Sequence, residues 1–212
     1  MNETNLEKLQ QNLLAPGLEK IGLSPSFVPA VWQYLNLLLK WNKVYNLTAI
    51  RDLESMVVQH ALDGLSIHGF VGLPDKRLID VGTGGGVPGV LLAIVRPDLS
   101  VYLLDAVGKK ARCVRQVKRE MKLDNVTVIH DRVENYSPSE KFDVVISRAF
   151  SEVNQFLSWT QHLGCEHARF LAMKGPRVEP LKAGSGFVEI QSDELAVPFL
   201  KEQRMLYQYK KS

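Results

Sequence analysis

LIDVGTGGGVPG, residues 78–89, is the stretch whose reading decides the fold. The apolar run Leu78-Ile79-Asp80-Val81 has the length of a buried strand. It breaks into five glycines within eight positions, Gly82, Gly84, Gly85, Gly86 and Gly89, and the apolar run 90–95, VLLAIV, then suits a helix. Strand, glycine loop and helix in that order bring backbone close to a nucleotide-like ligand in α/β proteins. Glycine lacks a Cβ, so such a loop can turn with positive φ and let a ligand touch its peptide groups.

Outward from the loop, short apolar runs alternate with helical patterns. Strands are expected near 77–81, 100–105, 125–130, 143–147 and 168–174, and helices near 89–95, 108–122 and 152–162. That alternation implies βαβ units and a parallel sheet. Residues 176–186, with Pro176, Pro180, Gly184 and Gly186, read as loop, and 187–191 with 204–210 as a closing antiparallel pair. Before the loop the texture is helical. Leu6, Leu9 and Leu13 recur at helical spacing; Ser24-Pro25 offers a cap for a helix through Val28, Val31, Leu35, Leu38 and Leu39; a third helix starts at Asp52. The expected organisation is a helical extension over 1–70 and one compact Rossmann-like unit over 71–212.

Two ligands compete for the glycine loop. Gly84, Gly86 and Gly89 satisfy the dinucleotide pattern GxGxxG; Asp80 with Gly82, Gly84 and Gly86 satisfies DxGxGxG, the pattern of S-adenosylmethionine enzymes. Asp80 can hold the loop itself, or a ligand ammonium group through water. Asp105 ends the next strand, 23 residues beyond Gly82, where a carboxylate can accept both ribose hydroxyls of either cofactor. Asp131-Arg132-Val133-Glu134 follows the third strand, and Ser147-Arg148-Ala149-Phe150 the fourth. Polar or acidic groups at four successive strand ends, with none placed for hydride transfer, favour a methyltransferase over an NAD-linked oxidoreductase. A binding module without turnover would not need Asp80, Asp105, Glu134 and Arg148 together.

The stretches WNKVYNLTAI (41–50), HALDGL (60–65), IDVGTGGGVPG (79–89), LLDAVGKKARCVRQV (103–117) and VISRAF (145–150) together resemble the ribosomal RNA small subunit methyltransferase G family, also called glucose-inhibited division protein B. The resemblance runs from about residue 30 to Lys174. It implies a class I S-adenosylmethionine-dependent methyltransferase fold, with a mostly parallel seven-stranded sheet and an N-terminal helical extension. It implies methylation of N7 of the guanine at position 527 of small-subunit (16S) ribosomal RNA, and it puts cofactor contacts at Gly82, Val87, Val133, Glu134 and Arg148. Asp105 falls where the family's ribose-binding acid would lie. The sequence departs from the family around His60, where Gln59 precedes it and Gly64 follows Asp63. The alternatives are a same-fold methyltransferase acting on another RNA, a protein or a small molecule, and the oxidoreductase.

Charge points to the partner. The whole chain carries +3, but residues 108–122 hold seven basic side chains against Glu120 alone, so the remainder is net acidic. At 100° per residue, Arg112, Arg115, Lys118, Arg119 and Lys122 share an arc of about 120°. Cys113, Val114, Val117 and Met121 fall opposite and should face the sheet. Such a run is often only a solvated face; here it is also the best candidate for RNA phosphates. Lys174 ends the fifth strand on the ligand edge and is a further RNA candidate. His60 and Asp63, one helical turn apart, suggest a local hydrogen bond, and Trp32, Trp41 and Tyr45 suggest core. Cys113 and Cys165 form no CxxC pair, which argues against a zinc site or disulfide framework and suits a reducing cytoplasm. No metal, no membrane segment and a monomer are expected, and the resemblance implies small-subunit ribosomal RNA, the 30S subunit or its precursor as the partner.

Overall fold

The computed structural model describes residues 3–72, 75–148, 150 and 152–212. Ala149 of the VISRAF stretch lies outside the described residues. Seven strands form one sheet in the order β3-β2-β1-β4-β5-β7-β6. They are β1 (Arg77–Val81), β2 (Ser100–Asp105), β3 (Val126–His130), β4 (Phe142–Ser147), β5 (Gly164–Lys174), β6 (Phe187–Leu195) and β7 (Arg204–Lys211). β1 to β5 run parallel, and β7 lies antiparallel between β5 and β6. All seven expected strands are present, with β5 beginning earlier and β6 ending later than their apolar runs.

The parallel strands are apolar on both faces because both are covered. Leu78, Val144, Ile146, Leu171 and Met173 join one core, whereas Ile79, Val81, Val145, Phe170 and Ala172 join the other. The second core is closed by α8 (Val153–Thr160) through Val153, Phe156 and Leu157. The first is shared with α6 (Gly89–Val95), α7 (Gly108–Met121) and the N-terminal helices. α7 ends one residue before the expected boundary, because Lys122 takes a left-handed φ of 53° and caps it.

The first seventy residues pack on that face. α1 (Glu3–Leu9), a π-helical turn Gln10–Leu14 and α2 (Ala15–Lys20) follow one another. Ser24 accepts from the Ser26 amide, and after one 3₁₀ turn α3 (Val28–Tyr45) crosses α6 and α7. Asp52 caps α4 (Leu53–Met56), which leads through a π-helical Val57–Leu62 into α5 (Asp63–Leu65). Leu14, Leu18, Tyr34, Leu35, Met56 and Leu62 are buried in the same core as Leu78 and Leu91.

β1 lies between β2 and β4, so the chain leaves it in one direction and returns on the other side. A cleft opens at such a switch point, beyond the carboxyl ends of the strands. Ser147 Oγ donates to Val81 O at 2.7 Å, stitching β4 to β1 at the floor of that cleft.

Candidate functional site

The glycine loop is held by two carboxylates. Asp80 is fully buried, and its Oδ2 accepts from Thr83 Oγ1 at 2.7 Å and from the Gly89 amide at 2.9 Å. A Cβ at Gly89 would stand 2.2 Å from Leu103 Cδ2, so only glycine lets α6 begin this close to the sheet. Burial pushes the Asp80 carboxyl up to about 6, against the lowering effect of those two hydrogen bonds. Asp105 Oδ2 accepts from the Gly84 amide at 2.9 Å and its Oδ1 from the Val107 amide at 2.8 Å. Both acids therefore shape the loop, and Asp105 has already engaged each oxygen once.

Above the loop lies a cavity of about 660 Å³, within the range of ligand sites. Gly82, Gly84 and Val87 line it, as do Arg148 and Lys174. Gly82 and Gly84 have φ of 73° and 61°, and a Cβ at Gly84 would meet only Gly82 O at 4.0 Å. Protein leaves that space open. A second observation also fits a polar ligand or water beside the loop: Asp80 Oδ1 is buried without a hydrogen-bond partner. Gly86 sits behind the lining with φ 102°. Val133 is buried in the second core and Glu134 is exposed beyond β3; neither lines the cavity.

The opposite wall comes from the N-terminal segment: Leu38, Leu47, Thr48, His60 and Asp63. Tyr34 Oη donates to Gly85 O at 3.1 Å. Arg148 Nη1 donates to Asp63 Oδ2 and to Gln59 O, each at 2.9 Å, and its Nη2 lies 3.2 Å from His60 Nδ1. His60 Nδ1 also lies 3.1 Å from Gln59 O, and its Nε2 lies 3.0 Å from Thr48 Oγ1, so both ring nitrogens are engaged. Burial first, and the Arg148 cation second, lower the His60 pKa to about 4. The expected hydrogen bond between His60 and Asp63 does not form, because each side chain reaches Arg148 instead.

Asp63 is also beside Arg204, whose Nε lies 3.4 Å from Oδ1. That contact is an ion pair without hydrogen-bond geometry, so Oδ1 is a buried acceptor with no hydrogen-bond partner. Arg177, Arg204 and Lys110 line the cavity with Arg148 and Lys174. The Lys174 ammonium donates to Phe150 O, and burial lowers its pKa. Sequence reading missed Tyr34, Leu38, Leu47, Thr48, Arg177 and Arg204. Arg204 had a signal: the first residue of a strand antiparallel to β5 falls at the ligand edge, with its neighbour Met205 opposite Lys174.

α7 carries its cations outward. Arg112, Arg115, Arg119 and Lys122 are exposed and Lys118 is half-buried, while Ala111, Cys113, Val114 and Val117 are buried. Among the described residues none of these five cations forms an ion pair. No cluster of metal-ligating side chains occurs among the described residues, and no described helix is long and apolar enough to cross a membrane.

The family model for rRNA small subunit methyltransferase G matches residues 28–207. The chain belongs to this family. It is 47% identical over 197 residues to the ribosomal RNA small subunit methyltransferase G of Pseudomonas putida strain GB-1, covering 91% of each chain. The same-named protein of Pseudomonas entomophila strain L48 is 46% identical over 197 residues, again 91% of each. Among solved structures, the fold is similar to magnesium protoporphyrin IX methyltransferase from Synechocystis PCC 6803 with bound S-adenosylmethionine. There the TM-score is 0.59 at 18% identity, covering 81% of this chain and 90% of that one. The class I S-adenosylmethionine-dependent methyltransferase fold that the resemblance implies is the fold observed.

Proposed function

We propose that this methyltransferase acts on N7 of a guanine in small-subunit ribosomal RNA, using S-adenosylmethionine. The cofactor supplies a methyl group on a sulfonium, an electrophile that needs no metal. Gly82, Gly84, Val87 and Arg148 hold it, while Asp80, Gly86 and Asp105 fix the loop. Val133 and Glu134, at the end of β3, flank its adenine side.

Beyond family membership, the state of His60 carries the choice of N7. Both nitrogens of His60, the one imidazole among the described lining residues, are engaged, and burial with the Arg148 cation lowers its pKa to about 4, so it is a poor general base. Guanine N7 has an in-plane lone pair and no proton, so it needs no general base. Catalysis then rests on alignment of the base with the methyl group. N7 faces the deep groove of A-form RNA, which side chains reach poorly, so the target is a loop base or one turned out of its stack.

The exposed cations Arg112, Arg115, Arg119 and Lys122, with Lys118 beside them, hold the phosphate backbone; Lys174 meets RNA at the cavity. The helical segment 1–70 closes the cofactor side. The reading places a monomer in the cytoplasm, working on the 30S subunit, its precursor or the RNA alone. Mass mapping of modified bases in small-subunit RNA from cells lacking the gene tests the target. The loop guanine should lose its N7 methyl group, and a guanine still methylated would refute the assignment. A double variant, Arg115→Glu with Arg119→Glu, should bind RNA with a shallower dependence on salt; an unchanged slope would return that helix face to solvent alone.

A further inference from the structure

Five cations line the cavity, Lys110, Arg148, Lys174, Arg177 and Arg204, and Asp63 is the one carboxylate among the described lining residues. Yet the ligand that the site is read to hold carries a sulfonium. Asp80 and Asp105 stand behind the lining, where loop donors engage Asp80 Oδ2 and both Asp105 oxygens and leave Asp80 Oδ1 buried outside the cavity lining. A cationic centre entering among five cations meets repulsion unless a carboxylate is held there in place. Asp63 is 2% exposed, fixed by Arg148 on one oxygen, and keeps Oδ1 buried without a hydrogen-bond partner beside Arg204.

We infer that Asp63 is a specificity-determining residue of the methyl-donor site: its carboxylate offsets Arg148 and Arg204 so that the cavity accepts the sulfonium form of the cofactor, and it orients Arg148 toward the ligand. This rests on the S-adenosylmethionine reading. The charge difference between donor and product gives the inference its consequence. The methyl donor carries one positive charge more than S-adenosylhomocysteine, whose sulfur is a neutral thioether. A carboxylate in the wall favours the former selectively, because Coulomb attraction acts on the charge that methyl transfer removes from the sulfur. Loss of that charge also loosens the spent cofactor and aids its release. A role in packing alone would treat the two ligands alike, since they differ by one methyl group.

Calorimetry on the full chain separates these. The wild-type protein is titrated with S-adenosylmethionine and with S-adenosylhomocysteine, and the ratio of the two affinities is recorded. Asp63→Asn keeps the shape and removes the charge. It should weaken S-adenosylmethionine about tenfold, a difference of about 1.4 kcal/mol, and S-adenosylhomocysteine by less than about twofold. Equal losses, or none, would overturn the inference while leaving the functional reading intact. Arg204→Gln reads the same charge from the other side, on a residue whose side chain is 30% exposed. It should shift the ratio several-fold toward S-adenosylmethionine, and an unmoved ratio would count equally against Asp63. Wild-type protein that binds neither ligand would instead remove the functional reading itself.

Discussion

The two walls of the cavity are built from different material. The glycine-loop wall is backbone: Gly82 and Gly84 present peptide groups, and Asp80 and Asp105 clamp the loop from behind. The helical-side wall is side chains: Leu38, Thr48, His60 and Asp63 reach the site from segments that are remote in sequence. A backbone wall depends on local conformation, so it fails by losing its shape. A side-chain wall depends on long-range packing, so it fails by coming loose from the core.

Leu38→Ala should give the largest effect and should act on stability. Leu38 is 1% exposed, and its Cδ1 lies 2.6 Å from where a Gly85 Cβ would stand, so it seats α3 on the glycine loop. Truncation there should cost about 2–4 kcal/mol, the range for a buried leucine whose cavity stays partly open. Denaturant unfolding measures it. A loss below about 1 kcal/mol would mean that the helical wall is not anchored in the sheet's core.

Gly82→Val probes the other wall and should act on affinity. A β-branched residue at φ 73° is strained, and relief by turning φ negative carries the peptide groups out of the cavity wall. Affinity for S-adenosylhomocysteine should fall about thirtyfold, equivalent to about 2 kcal/mol of left-handed strain. Calorimetry would contradict this if affinity held while the folded protein's unfolding midpoint dropped.

The same contrast explains what the sequence disclosed. Strand, loop and α6 were legible because glycine spacing and apolar runs are local signals, and the position of Asp105 follows from the end of a strand. The helical wall was not. His60 and Asp63 lie one turn apart and suggest a bond to each other, but the partner of both is Arg148, more than eighty residues later. The packing of α5 against α6, and of the Val57–Leu62 segment against α3, brings them there. Tyr34 reads as one more apolar position of α3, and nothing local announces its bond to Gly85. Arg177 follows β5 in a Pro- and Gly-rich stretch, where spacing carries no direction.

Tyr34→Phe removes a single link between the walls. Tyr34 is fully buried, and its hydroxyl, with a pKa raised by burial, is the donor to Gly85 O. The phenyl ring keeps the packing, so the cost is that of one hydrogen bond, about 1 kcal/mol. Measured against Leu38→Ala, a loss of the same size for both would show that the polar link, not the packing, holds the loop to α3.

The smallest effect is a slope with pH, and here the walls oppose each other. On the helical wall, burial and Arg148 lower His60 from its ordinary 6.5 to about 4. Between those values the unfolded chain binds a proton that the folded one does not, so stability rises with pH. Behind the backbone wall, burial raises Asp80 from 3.8 to about 6. There the folded chain keeps a proton that the unfolded chain has released, so stability falls as pH rises through that window. The two contributions largely cancel between about pH 4 and 6. His60→Gln removes one of them and keeps a group able to accept from Arg148. Unfolding midpoints for this variant should therefore decline, relative to wild type, as pH increases across the window. A variant whose slope matches wild type would mean that the imidazole is protonated alike in both states, and the lowering of its pKa by burial and Arg148 would have to be abandoned.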